Sequence, residues 1–203
     1  MNETTTRQAI MDRALELLVR HGYRGASFGD IATALDMTRA NIHYHFGSKQ
    51  VLVEAVLTDY VETTLTALRD IWLERDLSFA ERVETMLAFS QKRYRRYNKA
   101  GAPASQWSLI SRLRQDADLL TPQGRDLLAR FSRELRALLA TSLVADVARG
   151  RFAADMPVDP VAAQVAVIAD NASAITLDAE GAAHLGELYR GLVDLITRAY
   201  GRG

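Results

Sequence analysis

The sequence predicts an all-α protein of about nine helices, and three observations predict it. Apolar residues recur at helical spacing along nearly the whole chain, and no stretch alternates as a strand would. Helix-start signals stand ahead of these stripes: Ser27 with Asp30, Thr38, Ser48, Ser78 with Glu81, Thr121-Pro122 and Asp159-Pro160. Glycines or polar clusters stand behind them. The 203 residues, 48% hydrophobic and 25% charged, suffice for one compact body with a small appendage.

Taken in order, Ile10, Ala14, Leu17 and Leu18 place a first helix over 5–21, with Gly22 as its stop. Ser27 caps a short second helix over 28–35, whose Phe28, Ile31, Ala32 and Leu35 share a face. Thr38 caps a third over 38–46, carrying Ile42 and Phe46. Gly47 breaks the chain and Ser48 opens a long fourth helix to about residue 74. Ser78 and Glu81 open a fifth through Met86, Phe89 and Tyr94, fading at 98–101. Pro103 marks the next start, and Trp107, Ile110 and Leu113 make 104–115 helical. Later helices are expected from Thr121-Pro122 to Gly150, over 160–177 and over 181–200, the last two parted by polar residues 178–181.

Two short capped helices joined by about three residues have the arrangement of a helix-turn-helix, whose second helix enters the DNA major groove. Phe28, Ile31, Leu35, Ile42 and Phe46 would bind the pair to helix 1. Arg39, Ala40, Asn41, His43 and Tyr44 are then left outward. Arg39 suits guanine, Asn41 suits adenine, and Ala40 permits close approach or meets a thymine methyl. Ser27, Thr38, Tyr44 and Lys49 suit phosphates, helped by positive helix ends. Residues 1–50 therefore read as a DNA-binding domain and 51–203 as a helical remainder.

Charge does not advertise this role, because 25 basic residues balance 25 acidic ones. Residues 1–50 carry six basic against five acidic side chains, a net of +1. Affinity must come from placement rather than bulk charge. The absence of cysteine excludes disulfides and cysteine-ligated zinc. His43 and His45, two apart on a helix, point about 200° away from each other and make no metal pair. No nucleophile elbow, phosphate loop or metal-ligand pair supports an enzyme, and no cofactor is expected. The polar first ten residues and the lack of a long apolar run point to a cytoplasmic chain with no membrane segment.

The stretch Ser27-Phe28-Gly29-Asp30-Ile31-Ala32, followed by Leu35-Asp36-Met37-Thr38-Arg39-Ala40-Asn41-Ile42-His43-Tyr44-His45-Phe46-Gly47-Ser48-Lys49, resembles the DNA-binding signature of the TetR family. Ala14, Leu17 and Gly22-Tyr23 fit the family's first helix. Two positions depart from the pattern: Asp36 stands where members usually have glycine, and His43 where they often have tyrosine. Aspartate tolerates the left-handed backbone such a turn needs. The resemblance implies an N-terminal DNA domain followed by a larger domain that binds a small molecule and dimerises through its last two helices.

On that basis Ala166, Ala169, Leu185, Leu188, Leu192, Leu195 and Ile196 are expected at a two-fold homodimer interface, where small residues allow close approach and leucines supply area. A homodimer would read a palindromic double-stranded operator. A small-molecule effector is expected among the helices of 79–177. Its candidate lining is Met86, Phe89, Trp107, Ile110 and Phe131, with Arg112 for an acidic group and Asp170 and Asn171 as polar groups needing a partner. The expected function is a ligand-released repressor; the alternative is a ligand-binding or protein-interaction module without operator control. The basic run Lys92, Arg93, Arg95, Arg96 and Lys99 fits either a solvated helix end or an auxiliary phosphate contact.

Overall fold

In the computed structural model, residues 3–99, 104–177 and 181–202 are described. They form nine α-helices: α1 (Glu3–Gly25), α2 (Phe28–Ala34), α3 (Arg39–Phe46), α4 (Lys49–Trp72), α5 (Phe79–Tyr97), α6 (Leu109–Gln115), α7 (Pro122–Ala148), α8 (Val158–Ile175) and α9 (Gly181–Tyr200). A single 3-10 turn spans Ala117–Leu119. The only β pairing among the described residues is an isolated antiparallel bridge between Phe152 and Gly201. The expected breaks at Pro103 and at 178–180 lie outside the described residues. The chain divides into two compact units, Met1–Thr63 with Gln106–Ala129, and Thr64–Ser105 with Arg130–Gly203.

In the first unit, Ile10, Leu18, Val19, Ile31, Ile42 and Leu57 are sealed from solvent. Burying each such side chain contributes about 1.5–3 kcal/mol, so α1, α2, α3 and the start of α4 cohere around one core. Gly22 ends the main run of α1 with φ 69°, as its lack of a Cβ permits. The sequence placed a stop there. The structure adds the reason for a bare Cα: a Cβ would run into the Asp116 carboxylate and stand 2.8 Å from Arg112 Nε. The Tyr23 amide donates to Asp116 Oδ2 at 2.8 Å, holding α6 against the end of α1.

Helix α6 is shorter than the expected 104–115. Ser108 is its cap, accepting from the Ser111 amide at 3.4 Å. Gln106 and Trp107 are buried in the non-helical run before it. The apolar residue Trp107 thus signals burial rather than helix. Helix α8 begins at Val158, two residues before the expected start. Pro160 then sits in the first turn, where amides have no intrahelical acceptor and its missing N–H costs nothing.

In the second unit, α9 packs against α5 and α8, with Trp72, Met86, Leu139, Val165, Leu185 and Tyr189 in the core. The Trp72 indole N–H donates to Met86 Sδ at 3.3 Å. Arg82 is also fully buried and pairs with the buried Asp146. Arg82 donates to Ser142 Oγ at 2.8 Å, and Ser142 Oγ donates in turn to the Trp72 carbonyl at 2.8 Å. Arg151 completes the group, reaching Asp146 Oδ1 at 3.2 Å, the Leu77 carbonyl at 2.8 Å and the Arg75 carbonyl at 3.0 Å. The chain leaving α4 is therefore tied down by side chains of α5, α7 and the turn after α7. No helix among the described residues is long and apolar enough to cross a membrane.

Candidate nucleic-acid interface

The α2–turn–α3 segment is fixed by its own caps. Ser27 Oγ accepts from the Asp30 amide at 3.1 Å, and Asp30 Oδ2 accepts from the Ser27 amide at 3.2 Å, a reciprocal capping box. The Ser27 hydroxyl and then the Ser27 amide, both donating to Asp30 Oδ2, hold the Asp30 carboxyl below the usual carboxylate range, with Arg39 a smaller contributor. Helix α2 then ends in a Schellman motif. The Met37 amide donates to the Ala32 carbonyl at 3.0 Å and the Asp36 amide to the Thr33 carbonyl at 3.5 Å. Asp36 adopts the left-handed φ of 51° that the motif requires. Thr38 Oγ1 accepts from the Asn41 amide at 3.2 Å and starts α3. Gly47, at φ 67°, closes it by donating to the His43 carbonyl at 2.8 Å.

Ile42 and Phe46 turn inward from α3 and are buried. Arg39, Ala40, Asn41, His43 and Tyr44 are exposed, Tyr44 to 76%. The eight residues expected at DNA are not equivalent. Ala40, Asn41 and Tyr44 do not lie on α2, the Tyr44 ring meeting the His45 ring beside it, edge-on at 5.4 Å. Arg39 lies along Gly29 of α2, and the His43 ring meets the Phe28 ring edge-on at 5.0 Å. Thr38 Oγ1 accepts as a cap and still has a proton to donate to a phosphate, whereas the Ser27 hydroxyl accepts from the Asp30 amide and already donates to Asp30 Oδ2. Lys49 Nζ lies 4.7 Å from the centre of the Tyr23 ring. Its partial burial lowers the ammonium pKa, opposed by Asp30 and Asp116.

Two features escaped the sequence reading. Glu3 and Thr6 of α1 border the same hollow as Thr38, Asn41, Tyr44 and His45, so the start of α1 adjoins the reading face. Arg7 stacks over the Phe46 ring at 4.9 Å. None of these three residues belongs to a motif. Only the helical position of 3, 6 and 7 on one turn of α1 hints at a shared surface.

The residues expected to line an effector pocket fall in both units. Trp107 and Ile110 are buried in the first, and Met86 and Phe131 in the second. Phe89 carries the Arg93 guanidinium over its ring at 4.5 Å. Arg112 packs at Gly22 of α1 and donates to Gln115 Oε1 at 3.4 Å. Asp170 accepts from Ser132 Oγ at 2.8 Å. Asn171 is exposed and donates to the Val167 carbonyl of its own helix at 2.8 Å, so the polar group has the local partner it needs. In the basic run, Arg93 reaches Thr64 Oγ1 at 3.0 Å and Arg95 its own helix at the Gln91 carbonyl at 3.2 Å. Lys92, Arg95 and Lys99 are exposed.

The expected interface residues also divide. Leu185, Ile196 and Ala166 are buried within the chain, where α9 packs on α5 and α8. Ala169 and Leu192 are half-buried. Leu188 and Leu195 are exposed, the latter to 69%, and Val167 of α8 is exposed to 61%.

Residues 10–56 match the family model described as bacterial regulatory proteins, tetR family. A regulator of the helix-turn-helix type from the dhlA 5′ region of Xanthobacter autotrophicus is 33% identical over 70 residues, 34% of this chain and 35% of that protein. BetI of Agrobacterium fabrum is 28% identical over 158 residues, 70% of this chain and 65% of that one. The chain thus matches about a third of the first relative's length and under two thirds of the second's. Among solved structures, a TetR regulator from Chloroflexus aurantiacus aligns with TM-score 0.81 at 21% identity, covering 98% of each chain. A transcriptional regulator from Saccharomonospora viridis, solved in complex with choline, aligns with TM-score 0.74 at 22% identity, over 99% of this chain and 100% of that one. Residues 10–56 are thus similar to the tetR family of bacterial regulatory proteins, and nearly the whole chain shares the fold of TetR regulators of known structure.

Proposed function

We propose that the chain is a cytoplasmic, homodimeric repressor that binds a palindromic operator and is released by a small-molecule effector. The observation that carries this reading is the exposed set Ala40, Asn41 and Tyr44 on a short helix locked at both ends, by Thr38 and by Gly47. Near-neutral overall charge means that binding depends on these placed groups. In this reading residues 1–50 form the DNA domain and 51–203 hold effector and partner subunit. Two recognition helices about 34–36 Å apart match successive major grooves, which gives dimerisation its purpose. The choline complex of a regulator with the same fold supports a small-molecule effector. Such a ligand acts by binding more tightly to a state whose paired helices miss the grooves.

The test is a mobility shift with the DNA flanking the chain's own gene. The full-length protein should retard that DNA as a discrete complex resistant to competitor. Asn41→Ala removes the bidentate adenine contact, worth about 1–3 kcal/mol of discrimination per subunit, and should abolish the specific complex with thermal stability unchanged. An Asn41→Ala protein that binds as well as the parent would refute the assignment.

A further inference from the structure

We propose that the first turn of α2, Phe28-Gly29-Asp30, is a platform that sets the direction of Arg39, making Gly29 a specificity-determining position of DNA recognition. The inference rests on the DNA-binding reading above. Arg39 and His43 are four residues apart on α3 and share one face, about a quarter turn from Ala40 and Tyr44. That face looks onto α2: the His43 ring stands edge-on to Phe28 at 5.0 Å with the planes 82° apart. Arg39 fills the space beside Gly29. A Cβ built on Gly29 would stand 2.7 Å from Arg39 Nη2 and 3.1 Å from Cζ and Nε. A Cβ at that separation would displace the guanidinium, the free end of a flexible side chain, from the direction it takes beside Gly29. The adjoining Asp30 carboxylate supplies an opposite charge to the same guanidinium.

A guanidinium discriminates guanine because its planar fork meets O6 and N7 together, which requires a defined plane as well as a charge. A long exposed arginine ordinarily samples many rotamers and loses that freedom on binding. Laid against a bare Cα, beside a carboxylate and a ring-anchored His43, Arg39 starts from a restricted direction. Gly29 serves no turn here. It lies inside α2 with no left-handed φ, where alanine would be the better helix former. A glycine that weakens its own helix and admits a guanidinium is explained by the guanidinium.

The test is selection from a randomised duplex pool by the full-length parent, Gly29→Ala, Gly29→Ser, Arg39→Ala and the double variant Gly29→Ala/Arg39→Ala. The parent should enrich a motif containing a G·C pair whose preference Arg39→Ala erases. Gly29→Ala and Gly29→Ser should weaken the preference at that pair about tenfold, within the range a bidentate contact provides, and leave the other positions alone. The double variant should match Arg39→Ala, and Gly29→Ala should melt no lower than the parent. Retention of the G·C preference in both Gly29 variants overturns the platform, as does a uniform loss at every position or an Arg39→Ala protein that keeps the parental motif. A parent that enriches no motif overturns the regulator reading itself.

Discussion

At Tyr189 the side chain is fully buried on α9 and its hydroxyl has no hydrogen-bond partner among the described residues. Burial pushes the phenol well above its ordinary range, so it stays neutral across the physiological span. An unmade hydrogen bond in such a place costs about 1–3 kcal/mol. Tyr189→Phe deletes the hydroxyl and keeps the ring, so the usual loss on core substitution is reversed in sign. Stability should rise by about 1 kcal/mol, read as a higher denaturant midpoint with unchanged slope. A lower midpoint would mean that the hydroxyl is satisfied in solution. Asp36 is the opposite kind of residue. Its left-handed backbone is imposed by a turn four residues long, Leu35 to Thr38, and the turn is written in the neighbouring caps Ser27 and Thr38.

Among the elements, the chain leaving α4 is held by a charged cluster of an expensive kind. Arg82 and Asp146 are both withdrawn from water, and desolvation tends to lower the Arg82 pKa while Asp146 raises it. Breaking one side of such a pair leaves an uncompensated buried charge and costs about 3–5 kcal/mol. Asp146→Asn should therefore lower unfolding free energy by that amount in denaturant titration. Asn at 146 also leaves Arg151 with its two carbonyl partners at 75 and 77 but without the carboxylate. A loss under about 1 kcal/mol would show that the pair is solvated. None of this was legible in the sequence, because Arg82 and Asp146 are 64 positions apart and each occupies an ordinary helical position. The caps of α2, α3 and α5 were legible, since each is decided within four residues. The start of α6 was not, because Trp107 carries an apolar signal that does not distinguish a buried extended segment from a helix. The exposed face of α3 was legible for the same local reason as its caps. Its division between free residues and those laid on α2 depends on Gly29, whose neighbour in space is not its neighbour in sequence.

At the scale of the whole molecule, the proposed dimer narrows to residues that the chain leaves uncovered. The sequence stripe Leu185, Leu188, Leu192, Leu195 and Ile196 winds around α9 rather than along one line. Leu185 and Ile196 point into the subunit, while Leu188 and Leu195, seven apart, point out. Val167 of α8, which packs on α9, is exposed as well. Scattered exposed leucines need no explanation, but two on one line of a helix, beside an exposed valine on its packing partner, fit a partner helix. In a two-fold interface each residue counts twice, so one substitution places two like charges near the axis. Leu195→Glu should therefore convert the protein to a monomer at micromolar concentration in sedimentation, with the helical signal and melting of the isolated chain retained. Operator affinity should fall steeply in the same variant, because a monomer presents one recognition helix to a two-half site. Leu185→Glu separates the two roles: it buries a charge in the subunit core and should unfold the chain instead. Were Leu195→Glu to sediment as the parent does, α9 would not carry the partner.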